Sequence, residues 1–247
     1  MRSSAIEFRL RMPINAAIIL LGFWAPWIET WGIGSRISTL EWLALEVSRT
    51  GLLRFTVATP VVIVIGALIA AKAAALRIWG TAYLGPATVI SSQMKAGAVV
   101  ADGPYRYVRN PLYLGLWGMV AALSFMMPPT GALISLTLLT IFLARLVLGE
   151  EAFLKIQLGE PYLDYLRAVP RLVPRIRTAL PQARNKPQWL RAVLSELTPI
   201  GVFVALAFCS WTYDNRLMER VVLISFGLSL VVRALTPAVL VSSKPPQ

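Results

Sequence analysis

Long uncharged apolar runs alternate with short charged segments along this chain. Residues 12–28 carry no charge and follow Arg2, Arg9 and Arg11, and residues 55–71 lie between Arg54 and Lys72. A helix that crosses a bilayer needs about 20 mostly apolar residues, so both runs are predicted spans. Between Arg109 and Arg145 no residue is charged. A single helix over that stretch would be about 52 Å long, well beyond a hydrocarbon core of about 30 Å. Its middle reads Met126-Met127-Pro128-Pro129-Thr130-Gly131. Paired prolines followed by glycine stop a helix and turn the chain. The pattern therefore predicts a helical hairpin over about 112–148, with spans at 112–127 and 131–148.

Residues 197–213 and 221–238 predict a further pair of spans, with Arg233 close enough to one end to snorkel. The expected fold is all-α, a multi-span integral membrane protein of about six helical spans. It divides into N-terminal membrane helices (1–76), a core holding the hairpin (77–180), and a linker with a C-terminal helix pair (181–247). The first run could belong to a cleaved signal peptide. It carries Pro26 and Trp24, Trp27 and Trp31 and lacks a small-residue cleavage site, so an uncleaved span is expected. Gly32-Ile33-Gly34 is too short for a nucleotide loop and reads as a turn.

Glu151 to Arg177 predicts a cytoplasmic interfacial helix C-terminal to the hairpin, with an irregular tail. Phe153, Leu154, Leu158, Tyr162, Tyr165, Leu166 and Val169 fall near helical spacing, with Lys155, Asp164 and Arg167 between them. Gly159-Glu160-Pro161 breaks it, and Val169-Pro170-Arg171-Leu172-Val173-Pro174-Arg175 cannot continue as a helix. A surface segment and a lid over a site are both open readings.

Composition agrees with the pattern. Hydrophobic residues make up 57% of the chain and charged ones 15%, against about 25% charged in soluble domains. The chain has no histidine, which removes the commonest metal ligand and the commonest general base at neutral pH, and no metal is expected. Cys209 is the sole cysteine, so no internal disulfide forms; an apolar run surrounds it. The net charge of +12 would suit nucleic acid, but basic residues of membrane proteins collect on the cytoplasmic face opposite anionic lipid. With six spans and the N-terminus inside, the inside segments hold most of the Lys and Arg. Both termini are expected in the cytoplasm, with membrane lipids rather than nucleic acid as surroundings.

The hairpin should fold two polar clusters onto one interface. Its entry reads Asp102-Gly103-Pro104-Tyr105-Arg106-Tyr107-Val108-Arg109-Asn110-Pro111-Leu112-Tyr113-Leu114-Gly115, and its exit Arg145-Leu146-Val147-Leu148-Gly149-Glu150-Glu151. Two nearly equal spans return Glu150 and Glu151 to the depth of Arg106 and Arg109. Arginine grips a carboxylate through two parallel hydrogen bonds, a carboxylate accepts from an ammonium, and tyrosine faces attract cations. The cluster therefore suits a zwitterion. Interfacial anchoring accounts for the same Tyr and Arg residues equally well. Pro111 suits a first helical turn, Gly115 and Gly118 admit close approach of a backbone or a ligand, and Arg145, inside the fourth span, must face protein or water.

The 103–115 stretch resembles the signature of the isoprenylcysteine carboxyl methyltransferase and phospholipid methyltransferase superfamily. So do Glu150-Glu151, Gly159-x-x-Tyr162-x-x-Tyr165, Val169-Pro170-Arg171-x-x-Pro174, and the lead-in Arg77-x-Trp79-Gly80-x-x-Tyr83-Leu84-Gly85. The resemblance implies an integral membrane enzyme that binds S-adenosylmethionine at the cytoplasmic face (in a bacterium, of the inner membrane) and methylates a lipophilic or lipid-linked acceptor. It implies that Tyr105, Arg106, Val108, Arg109, Asn110, Pro111, Tyr113, Gly115 and Gly118 line the cofactor. Glu150 and Glu151 would contact its amino-acid part or the acceptor, and Tyr162, Tyr165 and Arg171 would close the site. Arg145, Glu150, Glu151 and Arg171 are the expected catalytic set. The superfamily often has His where this chain has Asn110, and Asn cannot carry a proton. A carboxylate acceptor needs no proton removed before attack, so the missing base favours O-methyl over N-methyl transfer. Two other classes stay open: an NADPH-dependent sterol-type reductase, and a membrane protein without catalysis.

Overall fold

A computed structural model of the chain describes residues 3–24, 37–85, 88–89, 99–175, 180, 186–212 and 215–235. Most of these residues are helical, with no strand among them. The elements are α1 (Ala5–Arg9), α2 (Arg11–Phe23), α3 (Thr39–Arg49), α4 (Phe55–Leu84), a 3-10 turn (Gly103–Arg106), α5 (Pro111–Leu123) with a 3-10 turn (Ser124–Met126), α6 (Pro129–Leu158), α7 (Glu160–Ala168), α8 (Trp189–Ser195), α9 (Leu197–Thr212) and α10 (Asn215–Leu235). Both α1 and α3 begin with a reciprocal Ser/Glu capping box, Ser4 with Glu7 and Ser38 with Glu41.

The predicted reversal is present. The chain turns at Met127-Pro128, and Pro129 opens α6 at the first helical position, where a missing N–H is no loss. The Thr39 N–H and hydroxyl both donate to the Met127 carbonyl, each at 2.8 Å, so α3 clips onto the tip of the hairpin. α2 runs alongside α6: a Cβ on Gly22 would lie 2.6 Å from Met127 Sδ at the tip. At the other end the Ser3 N–H donates to the Arg145 carbonyl at 3.1 Å, and Ser3 packs on Gly149. The N-terminal segment, the start of α5 and the last turns of α6 therefore share one end of the molecule. One core, drawn from α1–α6 and α9, joins them through residues such as Ile63, Val120, Leu139, Leu146 and Leu206, and Tyr162, Tyr165 and Val169 of α7 and its end form a separate small cluster.

Several boundaries differ from the predicted ones. α4 runs 30 residues to Leu84, so the expected division at 76/77 falls inside a continuous helix. α6 also runs 30 residues, to Leu158. Apolarity ends near residue 148 but helix-favouring residues continue, so Glu150 and Glu151 stand on the helix and not beyond it. Only Glu160–Ala168 of the expected interfacial helix is separate, as α7. Among the described residues two helices, α4 and α6, are long and apolar enough to cross a bilayer. The pair α8–α9 becomes a third if its 69° bend is one broken span. α2, α5 and α10 are shorter apolar helices. Residues 25–28 and 236–238 of two expected spans, with Pro26, Trp27, Trp31 and the 32–34 turn, lie outside the described residues, as does the Cys209 side chain.

Candidate functional site

The 77–85 lead-in and the 103–115 stretch pack against each other residue by residue. α4 lies antiparallel to α5. A Cβ on Gly115 would lie 2.5 Å from Arg77 Cγ and 3.2 Å from the Ala73 carbonyl, and one on Gly118 would lie 3.1 Å from Ala73 Cβ. Gly80 receives Leu112 and Pro111, Gly103 receives the Tyr83 ring, and Trp79 meets Tyr107 with ring centres 6.0 Å apart. Gly115 and Gly118 thus seat α4 and its arginine. Of the two uses the sequence allowed, close approach of a neighbouring helix is visible in the packing. Val108 is buried and contributes packing, and Pro111, also buried, opens α5.

Adjacent positions on α6 point about 100° apart, and this separates the two glutamates. Glu151 is buried, its side chain 5% exposed, and accepts from Arg109 Nη1 at 3.0 Å and from Arg171 Nη2 at 2.7 Å. Arg171 adds a bond from Nε at 3.1 Å. Arg109 spends its other donors on backbone: Nε on the Val169 carbonyl at 2.6 Å and Nη2 on that of Leu166 at 3.0 Å. The backbone follows, with Arg109 N–H to the Pro170 carbonyl at 2.9 Å and Arg175 N–H to that of Tyr107 at 3.0 Å. Asn110 Nδ2 reaches the Arg171 carbonyl at 3.3 Å. The 166–175 strap is therefore clasped onto 107–110, and Asn110 serves the clasp. Hydrogen bonding to Glu151 holds the Arg171 guanidinium above its ordinary pKa.

Glu150 faces elsewhere. It is half-buried, pairs with the Tyr113 side chain, and lies in the field of Arg11 from α2. Arg11 is buried, holds the Phe8 carbonyl at 3.2 Å and the Val89 carbonyl at 3.0 Å, and stacks on the Phe8 ring. Next to them stands Tyr105, whose hydroxyl is buried without a hydrogen-bond partner among the described residues. Burial first, and the nearby Glu150 charge second, push its phenol well above the ordinary value. Behind Tyr105, the Tyr165 hydroxyl donates to its carbonyl at 2.8 Å, and the Tyr162 and Tyr165 rings sit 5.9 Å apart. Burial raises both of those phenols as well.

The expected grouping of Arg106, Arg109, Glu150 and Glu151 is thus resolved into separate sets. Arg106 Nη2 holds the Leu180 carbonyl at 2.6 Å and faces neither glutamate. Arg145 faces protein, as its position required, and pairs with Glu7 at 2.8 Å, apart from Arg109 and Arg171. Among the described residues no three His, Cys, Asp or Glu side chains gather to hold a metal. Glu7, Arg11 and Glu196 were missed. Glu196 had a signal: a lone carboxylate abutting the apolar run at 197–213 needs a buried partner.

The elements that carry this geometry also carry a family pattern. Residues 53–160 match the phospholipid methyltransferase family. The match agrees with the resemblance that the motifs carry to the integral membrane methyltransferases. The match takes in α4, the 103–115 motif, the hairpin and both glutamates, and it leaves out α1–α3 and α8–α10. No curated protein and no solved structure matches the chain.

Proposed function

We propose that the protein is a multi-pass membrane methyltransferase that uses S-adenosylmethionine at the cytoplasmic ends of α4, α5 and α6. What carries the reading is the coincidence of the family-matched segment with a half-built polar site. The Tyr105 hydroxyl lies in the field of Glu150 there and is buried with nothing bonded to it among the described residues. A buried hydroxyl left unpaired costs about 1–3 kcal/mol, so a ligand that bonds to it recovers that cost. The fit to S-adenosylmethionine is chemical. A carboxylate and tyrosine faces favour an ammonium or sulfonium centre. When bound, the cofactor supplies an electrophilic methyl group on a positively charged sulfur.

The chain's own residues do the rest by position. Glu150 holds the cation, Tyr113 orients Glu150, and the 166–175 strap excludes water from the side on which Tyr162 and Tyr165 stand. Glu151 is committed to two arginines and serves the strap. Arg145 and Arg171, expected as catalytic, act in this reading by holding α1 and the strap in place. The acceptor is a lipophilic molecule delivered from the bilayer, and a carboxylate of the isoprenylcysteine kind needs no base. The family's phospholipid label favours a second reading, N-methylation of a lipid amine with Glu150 taking the proton. The six-span, both-termini-inside topology belongs to this proposal and follows the basic-residue asymmetry.

Calorimetry of the purified full chain in detergent tests the cofactor. Heat with S-adenosylmethionine and none with NADPH is expected; the reverse would replace the reading with a reductase. Comparing host lipids and metabolites with and without the protein then separates a methyl ester from a methylated amine.

A further inference from the structure

Glu196 lies beyond the family-matched segment, at the 69° bend between α8 and α9, yet its side chain reaches α4. The carboxylate is 2% exposed and accepts three bonds: Arg77 Nε at 2.6 Å, Arg77 Nη2 at 3.0 Å and Thr81 Oγ1 at 2.7 Å. Arg77 is held on its other side by the Leu112 carbonyl, to which Nη1 donates at 3.2 Å, and its stem fills the space that Gly115 leaves open. Two further contacts dock the same region: the Gln188 N–H donates to the Ala82 carbonyl at 2.8 Å, and Trp189 meets Tyr83 edge-on at 6.4 Å. Arg77 thus links the C-terminal helices to the first turn of α5, one residue before Tyr113.

Replacing a buried ion pair with matched apolar residues is often neutral or stabilising, so stability alone does not call for one here. A bidentate pair does fix direction, which apolar packing does not. The direction matters at Tyr105. Its hydroxyl, buried with no hydrogen-bond partner among the described residues, lies in the fields of Glu150, Arg77 and Glu196.

We propose that Glu196 is a positioning residue of the same site: through Arg77 it fixes the start of α5 and the wall around Tyr105, and so sets affinity for the methyl donor. This rests on the reading that the site binds S-adenosylmethionine. The test is calorimetric titration of the full chain with S-adenosylmethionine, with melting temperatures measured in parallel. The proteins are the wild type, Glu196→Gln, and the paired apolar variant Arg77→Met with Glu196→Leu, which leaves no buried charge unpaired and keeps the test open if the single variant does not fold. The expected result is a paired variant that melts near the wild type but binds about tenfold or more weakly, the size of effect that misplacement of site groups produces. A merely structural pair would move the melting temperature and leave affinity alone. Wild-type affinity in a folded paired variant overturns this inference by itself. Absence of heat with the wild type overturns the methyl-donor reading and this inference with it.

Discussion

Glu150 and Glu151 are neighbours in sequence, yet they belong to different machinery. Glu151 is buried and saturated, with two guanidinium groups on one carboxylate and a strap of chain fastened behind them. Glu150 meets Tyr113 and the field of Arg11, near a tyrosine hydroxyl with no partner among the described residues. The difference is one step of helical rotation, about 100°. A carboxylate whose bonds are all internal holds structure, whereas one beside an unmet hydrogen-bonding group is the one to which the proposed function gives a ligand.

The contrast can be broken most forcefully at Arg109. Arg109→Ala leaves Glu151 with Arg171 alone and frees two strap carbonyls, so a loss of about 3–5 kcal/mol is expected, as for a buried pair that loses one partner. Thermal unfolding in detergent measures it, and an unchanged melting point would mean the clasp carries no stability. Glu150→Gln should do the opposite. The fold survives, and S-adenosylmethionine binding weakens by about tenfold to a hundredfold, in line with about 1.5–3 kcal/mol for a hydrogen bond to a charged group. Equal affinity in calorimetry would remove Glu150 from the site.

Gly115→Ala probes which partner the glycine serves. Its new Cβ would press on Arg77 Cγ and the Ala73 carbonyl, costing about 1–3 kcal/mol of stability through overpacking. A stable variant with weakened ligand binding would assign Gly115 to the cofactor. Alkaline titration comes next. Burial raises the Tyr105, Tyr162 and Tyr165 phenols, so their stabilising effect is complete below the unfolded value of about 10 and is lost as pH rises through the folded values. Ultraviolet absorbance should therefore show these phenols ionising together with unfolding, and early ionisation at native fold would contradict their burial. The smallest effect is expected for Arg145→Ala. Its pairing with Glu7 is partly exposed, and such pairs contribute little, so melting and binding should both stay near wild type.

Much of this architecture could be read before any coordinates. Pro128-Pro129 marks the reversal, Pro111 marks the start of α5, and equal arms place Arg109 beside Glu151, where the bond is found at 3.0 Å. The end of α6 was hidden because charge was taken for the end of a helix that continues through Glu150-Glu151-Ala152-Phe153-Leu154. A charge inside a span demands a partner, and nothing local says that the partner of Arg145 is Glu7.

Apolar run lengths, prolines and glycines fixed the helices and the reversal, because each acts on backbone within a few residues. The division of labour between two adjacent glutamates, the seat of Arg77 on Gly115, and the pairing of Arg77 with Glu196 across 119 positions were decided only by packing. Such contacts depend on how helices rotate against one another, and no local pattern encodes that rotation.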